Sequence, residues 1–216
     1  MKINKTKLII SSLLTILPIV FGLVLWNKLP ERLPYHWNAA GEVDGYAGKG
    51  MAVFFMPIFL LAIHLLCVFA TKLDKANRDQ NEKVFSLIYY INPVISLAVH
   101  GFVFATALGY DVDVMSIMFI ILGIVFIVVG NYMPKAKQNR TIGIKITWTL
   151  SSEANWNATH RFAGKLWFAA GFIMVAAAFL PTRISLPIML FVSLISVIIP
   201  IIYSYRFYKK GKRDSE

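Results

Sequence analysis

The sequence predicts an all-α integral membrane protein of six transmembrane helices with both termini in the cytoplasm. Three observations predict it. First, 57% of the 216 residues are hydrophobic and only 15% are charged, where soluble domains carry about 25% charged residues. Second, the apolar residues come in long runs, and a run of about 18 or more reads as a transmembrane helix. Third, Lys and Arg sit in short clusters at the ends of these runs, as the positive-inside rule requires. That clustering excludes a nucleic-acid reading of the +11 net charge.

The spans are read at residues 8–26, 51–71, 84–108, 115–133, 166–181 and 186–205. At about 1.5 Å per residue each can cross the hydrocarbon core, the fifth only just. Lys2, Lys5 and Lys7 precede the first run, but its end, LWNKLPERLP, has no small-residue cleavage site. It is therefore expected to be a retained helix and not a signal peptide. The termini and the second–third and fourth–fifth loops hold 18 Lys/Arg; the other side holds Lys28, Arg32, Lys49 and Arg183. That asymmetry places both termini in the cytoplasm. No repeat of fixed period appears. The expected division is an N-terminal three-helix region, 1–114, with outer loop 27–50, and a C-terminal three-helix region, 115–216, with cytoplasmic loop 131–165.

Both loops exceed what a connector needs. In the outer loop, Pro30 and Pro34 favour an extended entry, and Gly41, Gly45, Gly48 and Gly50 permit tight turns. The inner loop holds six Lys/Arg, two Trp and one His. Its Ile142, Ile144 and Ile146 alternate with Gly143, Lys145 and Thr147, which predicts a short extended piece. Ser151 is a candidate cap for a following helix, with Glu153 in the first turn. Along that helix Trp156, His160, Ala163 and Trp167 share one face. The helix is expected to lie along the inner membrane surface before the fifth span.

Within the spans, His64, Asn92 and His100 are the polar groups to explain, since intramembrane ionisable residues are functional candidates. The two histidines differ in depth by about 10 Å by helical rise. Each is expected to bond a helix neighbour such as Asn92, Ser or Thr. Cys67 alone excludes an internal disulfide and a Cys-based zinc site. His36, Glu42 and Asp44 lie close together, but acidic turn residues more often bind solvent than metal, and no metal or cofactor is expected. No HExxH or Gly-x-Ser-x-Gly pattern is present, and no catalytic residues are assigned.

Two sets of residues resemble the SdpI family, bacterial immunity proteins against a secreted toxic peptide. The outer set is Leu29-Pro30, Leu33-Pro34, His36-Trp37-Asn38, Gly41, Asp44 and Gly45. It looks like the small membrane domain of unknown function often found at the start of these proteins. The inner set is Gly130-Asn131, Asn139, Ile142-Gly143-Ile144-Lys145, Trp148-Thr149, Trp156, His160-Arg161 and Gly164. The family's Arg-Thr-Pro-Trp-Thr reads here Lys145-Ile146-Thr147-Trp148-Thr149. Lys in place of Arg removes a planar, bidentate fork.

The resemblance implies resistance to a toxic peptide and, in some members, capture of a cytoplasmic transcriptional repressor. The expected partners are thus the lipid bilayer, a secreted toxic peptide and that repressor, with no direct contact to nucleic acid. Tyr35, His36, Trp37, Asp44 and Tyr46 are the toxin-facing candidates; an interfacial aromatic belt is the other reading of the same cluster. Asn131, Asn139, Arg140, Gly143, Lys145, Trp148, Thr149, Trp156, His160 and Arg161 are the cytoplasmic docking candidates. Anionic-lipid binding is their other reading. A small transporter or exporter remains the alternative function, although no internal repeat supports it.

Overall fold

The computed structural model describes residues 3–77 and 80–213. Lys2 and Arg78, counted above among the inner charges, lie outside the described residues. The chain divides into two units, Lys2–Phe69 with Ser86–Ile117, and Ala70–Phe85 with Met118–Glu216.

The first unit opens with α1 (Lys5–Val24), capped by Asn4, whose side chain accepts the Lys7 N–H at 3.0 Å. The buried face of α1 is Ser11, Thr15, Pro18 and Gly22, while Ile9, Leu13, Val20 and Phe21 are exposed. Small and hydroxyl residues inside with apolar residues outside suit a helix bathed in lipid, where close packing and hydrogen bonds hold helices together. A π-helical turn (Met51–Phe55) leads into α2 (Met56–Leu73), and α3 (Glu82–Ala107) follows. Several polar residues in these helices bond across or along them. Ser11 Oγ lies 2.8 Å from His64 Nε2, and Ser96 Oγ donates to the Thr15 carbonyl. His100 Nδ1 donates to the Ser96 carbonyl at 2.7 Å. Asn92 bonds the Leu60 carbonyl and not a histidine.

Between α1 and the π-helical turn the chain forms an antiparallel hairpin of β1 (Arg32–Trp37) and β2 (Val43–Gly48). This departs from an all-α fold with an irregular outer loop. The extended entry at Pro30 and Pro34 is present, but it continues into a paired ladder. Leu33 is fully buried and joins Leu29, Val53, Phe102, Val103 and Val114 in one apolar cluster. Lys49 is also buried. It donates to Glu31 and to the Trp26 carbonyl at the hairpin base, so this outer charge is a structural fixture.

The second unit contains most of α4 (Val114–Tyr132), the short α5 (Thr147–Ser151), α6 (Glu153–Ala177) and α7 (Thr182–Arg213). Glycines at two seven-residue spacings let α4 and α6 touch backbone to backbone. A Cβ at Gly123 would meet the Gly171 carbonyl, and one at Gly130 would meet the Gly164 carbonyl, each at 2.8 Å. Helices α6 and α7 run antiparallel. Asn155 pairs with Ser204, Phe162 stacks on Tyr203, and Trp167 donates to the Ser196 carbonyl.

Three local expectations change. The short extended piece read over 142–147 is cut short: Ile146 is extended, but Thr147 already begins α5. Ser151 ends α5, and Ser152 caps α6 by accepting the Asn155 N–H. The helix from Glu153 does not turn before a separate fifth span, because α6 is one continuous helix of 25 residues. Among the described residues, five helices are long and apolar enough to cross a membrane, and α6 is not one of them. Its first half carries Asn155, Thr159 and His160, all buried.

Candidate functional site

Two surfaces carry the residues singled out from the sequence, one in each unit. On the hairpin, Tyr35 and Tyr46 are about half exposed, at 50% and 53%. His36 Nδ1 lies 2.6 Å from Asp44 Oδ1 across the ladder, also exposed. Glu42 takes no part in that pair and instead accepts from the Asn38 amide. Gly45 faces His36 so closely that a Cβ there would meet the imidazole's Cβ at 2.9 Å. Trp37 is half-buried, its ring edge-on to Phe102 at 5.4 Å. Trp37 therefore anchors the hairpin, while the tyrosines and the His36–Asp44 pair are its free surface.

The inner loop is built around three buried hubs. Asn139 is 2% exposed. Its Oδ1 accepts the N–H groups of Thr141 and Ile142, and its amide donates to the Lys137 and Ile142 carbonyls. Thr149 Oγ1 accepts the Ile146 N–H and donates toward the Ile144 carbonyl, closing the start of α5. Thr147 is the first residue of α5. At that position the N–H has no intrahelical partner, so Thr replaces the family's Pro without losing a helix bond.

His160 is the third hub. Its Nδ1 donates to the Trp156 carbonyl at 2.9 Å, and its Nε2 accepts the Ile144 N–H at 3.0 Å. Those two bonds define the neutral Nδ1–H tautomer. The ring stacks on Trp156, whose indole N–H donates to the Ala136 carbonyl at 2.7 Å. Burial pushes the His160 imidazole down to about 4. Gly143 passes directly over this ring with φ +107°, where a Cβ would collide with the His160 Nε2 and a side chain would strain the backbone.

Trp156 and His160 are therefore interior and cannot touch a partner. The exposed members of the set are Asn131, Arg140, Lys145 and Arg161, with Trp148 half-buried against Tyr205 at 4.9 Å. Among the described residues no carboxylate forms an ion pair with Arg140, Lys145 or Arg161. An open groove of about 690 Å³ is lined by Lys145, Ile146, Thr147, Trp148, Leu150, Ser151 and Ile201. It sets the Lys145 ammonium and two hydroxyls beside an apolar floor.

Residues 135–204, which hold this loop, α6 and most of α7, match the SdpI/YfhL protein family. Residues 13–61 match a domain of unknown function, DUF1648. The chain is also 29% identical over 208 residues to the "Immunity protein SdpI" of Bacillus subtilis (strain 168), covering 94% of this chain and 97% of the relative. The chain is SdpI-like along nearly its whole length. No solved structure matches it. With its five long apolar helices, the SdpI-like chain is a multi-pass protein of the bacterial cell membrane.

The sequence reading missed several residues that build the inner surface. Asp74, Asn77 and Gln80 lie in the second–third loop, where only Lys and Arg were counted, yet all three bond the loop around Asn139. Asn155 and Ser204 form a buried pair between α6 and α7. A short loop holding Asp, Asn and Gln beside helix ends with orphan carbonyls was the available signal.

Proposed function

We propose that this protein confers resistance to a secreted toxic peptide from within the bacterial membrane, and that its inner loop docks a cytoplasmic repressor. The observation that carries the first part is the relation to an immunity protein over 94% of the chain, which takes in both loops. The docking part rests on the groove lined by Lys145 and Trp148, and on the exposed Arg140 and Arg161, which no described carboxylate pairs. Arg and aromatic residues are common interface anchors. The hairpin tyrosines and the His36–Asp44 pair would meet the peptide. Region 1–114 would then receive the toxin and region 115–216 would carry the cytoplasmic response.

The same reading has six spans with both termini inside. Antiparallel α6 packs beside α7, a helix apolar enough to cross, which supports a sixth span in the second half of α6. Its low hydropathy comes from its first half, where Asn155, Thr159 and His160 are buried and bonded within the protein and Glu153, Asn157, Arg161 and Lys165 are exposed.

The test is expression in a sensitive cell, followed by challenge with candidate toxic peptides. Survival should rise, and should persist when the proton gradient is collapsed, as expected of binding and not of energised export. Arg161→Lys keeps the charge but loses the planar fork. It and Trp148→Ala should reduce repressor recruitment or reporter induction about five- to tenfold, with survival less affected. Wild-type behaviour of both variants in every assay would reduce the loop to a lipid and topology anchor.

A further inference from the structure

Asp74, Asn77 and Gln80 lie outside both matched family segments, and their side chains make five hydrogen bonds to the inner loop. Asp74 Oδ2 accepts the Arg140 N–H at 2.7 Å, and its Oδ1 accepts the Ala76 N–H. Asn77, 1% exposed, donates to the Thr71 carbonyl at 2.9 Å and to Thr141 Oγ1 at 2.7 Å. Gln80, 5% exposed, pairs with the backbone of Lys137 as a strand neighbour would. Its Oε1 accepts the Lys137 N–H at 2.9 Å, and its amide donates to the Lys137 carbonyl at 3.2 Å. The three residues of this segment thus hold residues 137, 140 and 141, the approach to the Gly143–Lys145 turn.

We propose that Asp74, Asn77 and Gln80 form a clasp that positions the docking surface, a third segment of that site beyond the family signature. This rests on the docking reading above. The physical reason is exposure. Arg140 and Lys145 are exposed, and the Lys145 ammonium donates to the Thr141 carbonyl at 3.0 Å, so the backbone around 140–141 fixes where these charges stand. Without the clasp, the Lys137 and Arg140 N–H groups would turn to water, and the loop would sample many arrangements. The clasp also has a place in the chain that matters. It is the connection between α2 and α3, both of which continue into the unit that holds the hairpin. A change in the spacing of those helices would therefore act first on the bonds to 137–141.

The test uses full-length protein with Cys67→Ala and a reporter thiol at buried Ala136. A maleimide in inside-out vesicles reads how often the loop opens, with no need for the partner. Asp74→Ala and Gln80→Ala should label about tenfold faster than the parent, since each removes side-chain bonds that hold the loop backbone. Asp74→Asn keeps an oxygen for the Arg140 N–H and should label as the parent does. A merely electrostatic role for Asp74 would make Asn as damaging as Ala. Abundance in the membrane is measured alongside. In cells, a reporter on the chain's own promoter, challenged with the peptide it resists, should lose induction in the two Ala variants while survival holds. Parental labelling in both Ala variants would overturn the clasp. So would faster labelling with full induction, if Trp148→Ala abolishes induction. If Trp148→Ala is itself silent, the docking reading fails and the clasp's role fails with it.

Discussion

His160 has both ring nitrogens engaged, and the geometry leaves no room for a second proton without breaking the bond from the Ile144 N–H. Its depressed value of about 4, against 6.5 for an ordinary histidine, comes from burial. The unfolded chain therefore binds this proton first as pH falls. Stability is fully present above about pH 6.5, drains away between 6.5 and 4, and the loss is complete below that window. At pH 5 the loss should be about 2 kcal/mol. Thermal unfolding of the purified protein at pH 7 and pH 5 measures it. His160→Gln should flatten that difference whatever its absolute stability, because it removes the titrating group. An unchanged difference would assign the acid sensitivity to another side chain.

Two elements separate contact from scaffold. On the hairpin, Trp37→Ala removes the edge contact with Phe102, worth about 1 kcal/mol, and should loosen the strands as well as lower survival under toxin. Tyr35→Ala and Tyr46→Ala touch only exposed groups. They should lower survival at unchanged abundance, and full survival in both would return the cluster to the aromatic-belt reading. The α4–α6 seam makes a different demand. Gly130→Val and Gly171→Val push a side chain into backbone and should each cost at least 1–3 kcal/mol, roughly the overpacking range. Steady-state abundance in the membrane should fall sharply. Gly101→Ala, with nothing within 4 Å of its Cβ, is the matched control and should leave abundance unchanged.

For the whole molecule, the arrangement of Lys and Arg predicts that the hairpin and the inner loop are labelled from opposite sides of the membrane. The reporters must be exposed and must not alter the charge count. Asn139 and Asn155 are unsuitable because both are buried and bonded. Ala40 and Thr147 are exposed. In a Cys67→Ala background, a cysteine at Ala40 should react with an impermeant thiol reagent in intact cells. One at Thr147 should react only in inside-out vesicles. Reaction at 147 from outside would overturn the cytoplasmic placement of the inner loop.

The sequence by itself determined the membrane setting, most of the helices and the likeness to SdpI proteins, and it singled out the two loops. Those follow from long apolar runs and from residue types at short spacing, which are local properties of the chain. It also placed Trp156 and His160 on one helical face, because helical period is local too. Only the tertiary structure decided which members of that set touch each other. It turned Trp156, His160 and Asn139 inward as supports and left Arg140, Lys145 and Trp148 at the surface. It paired the outer loop as a hairpin, since pairing depends on a partner strand and on Leu33 finding a pocket among Leu29, Val53 and Phe102. It brought Asp74, Asn77 and Gln80 to residues 137–141, 57 to 67 positions along the chain. The polar loop residues are legible in local composition, but the partner of a hydrogen bond at that separation is not, because the bond exists only once the helices between have folded.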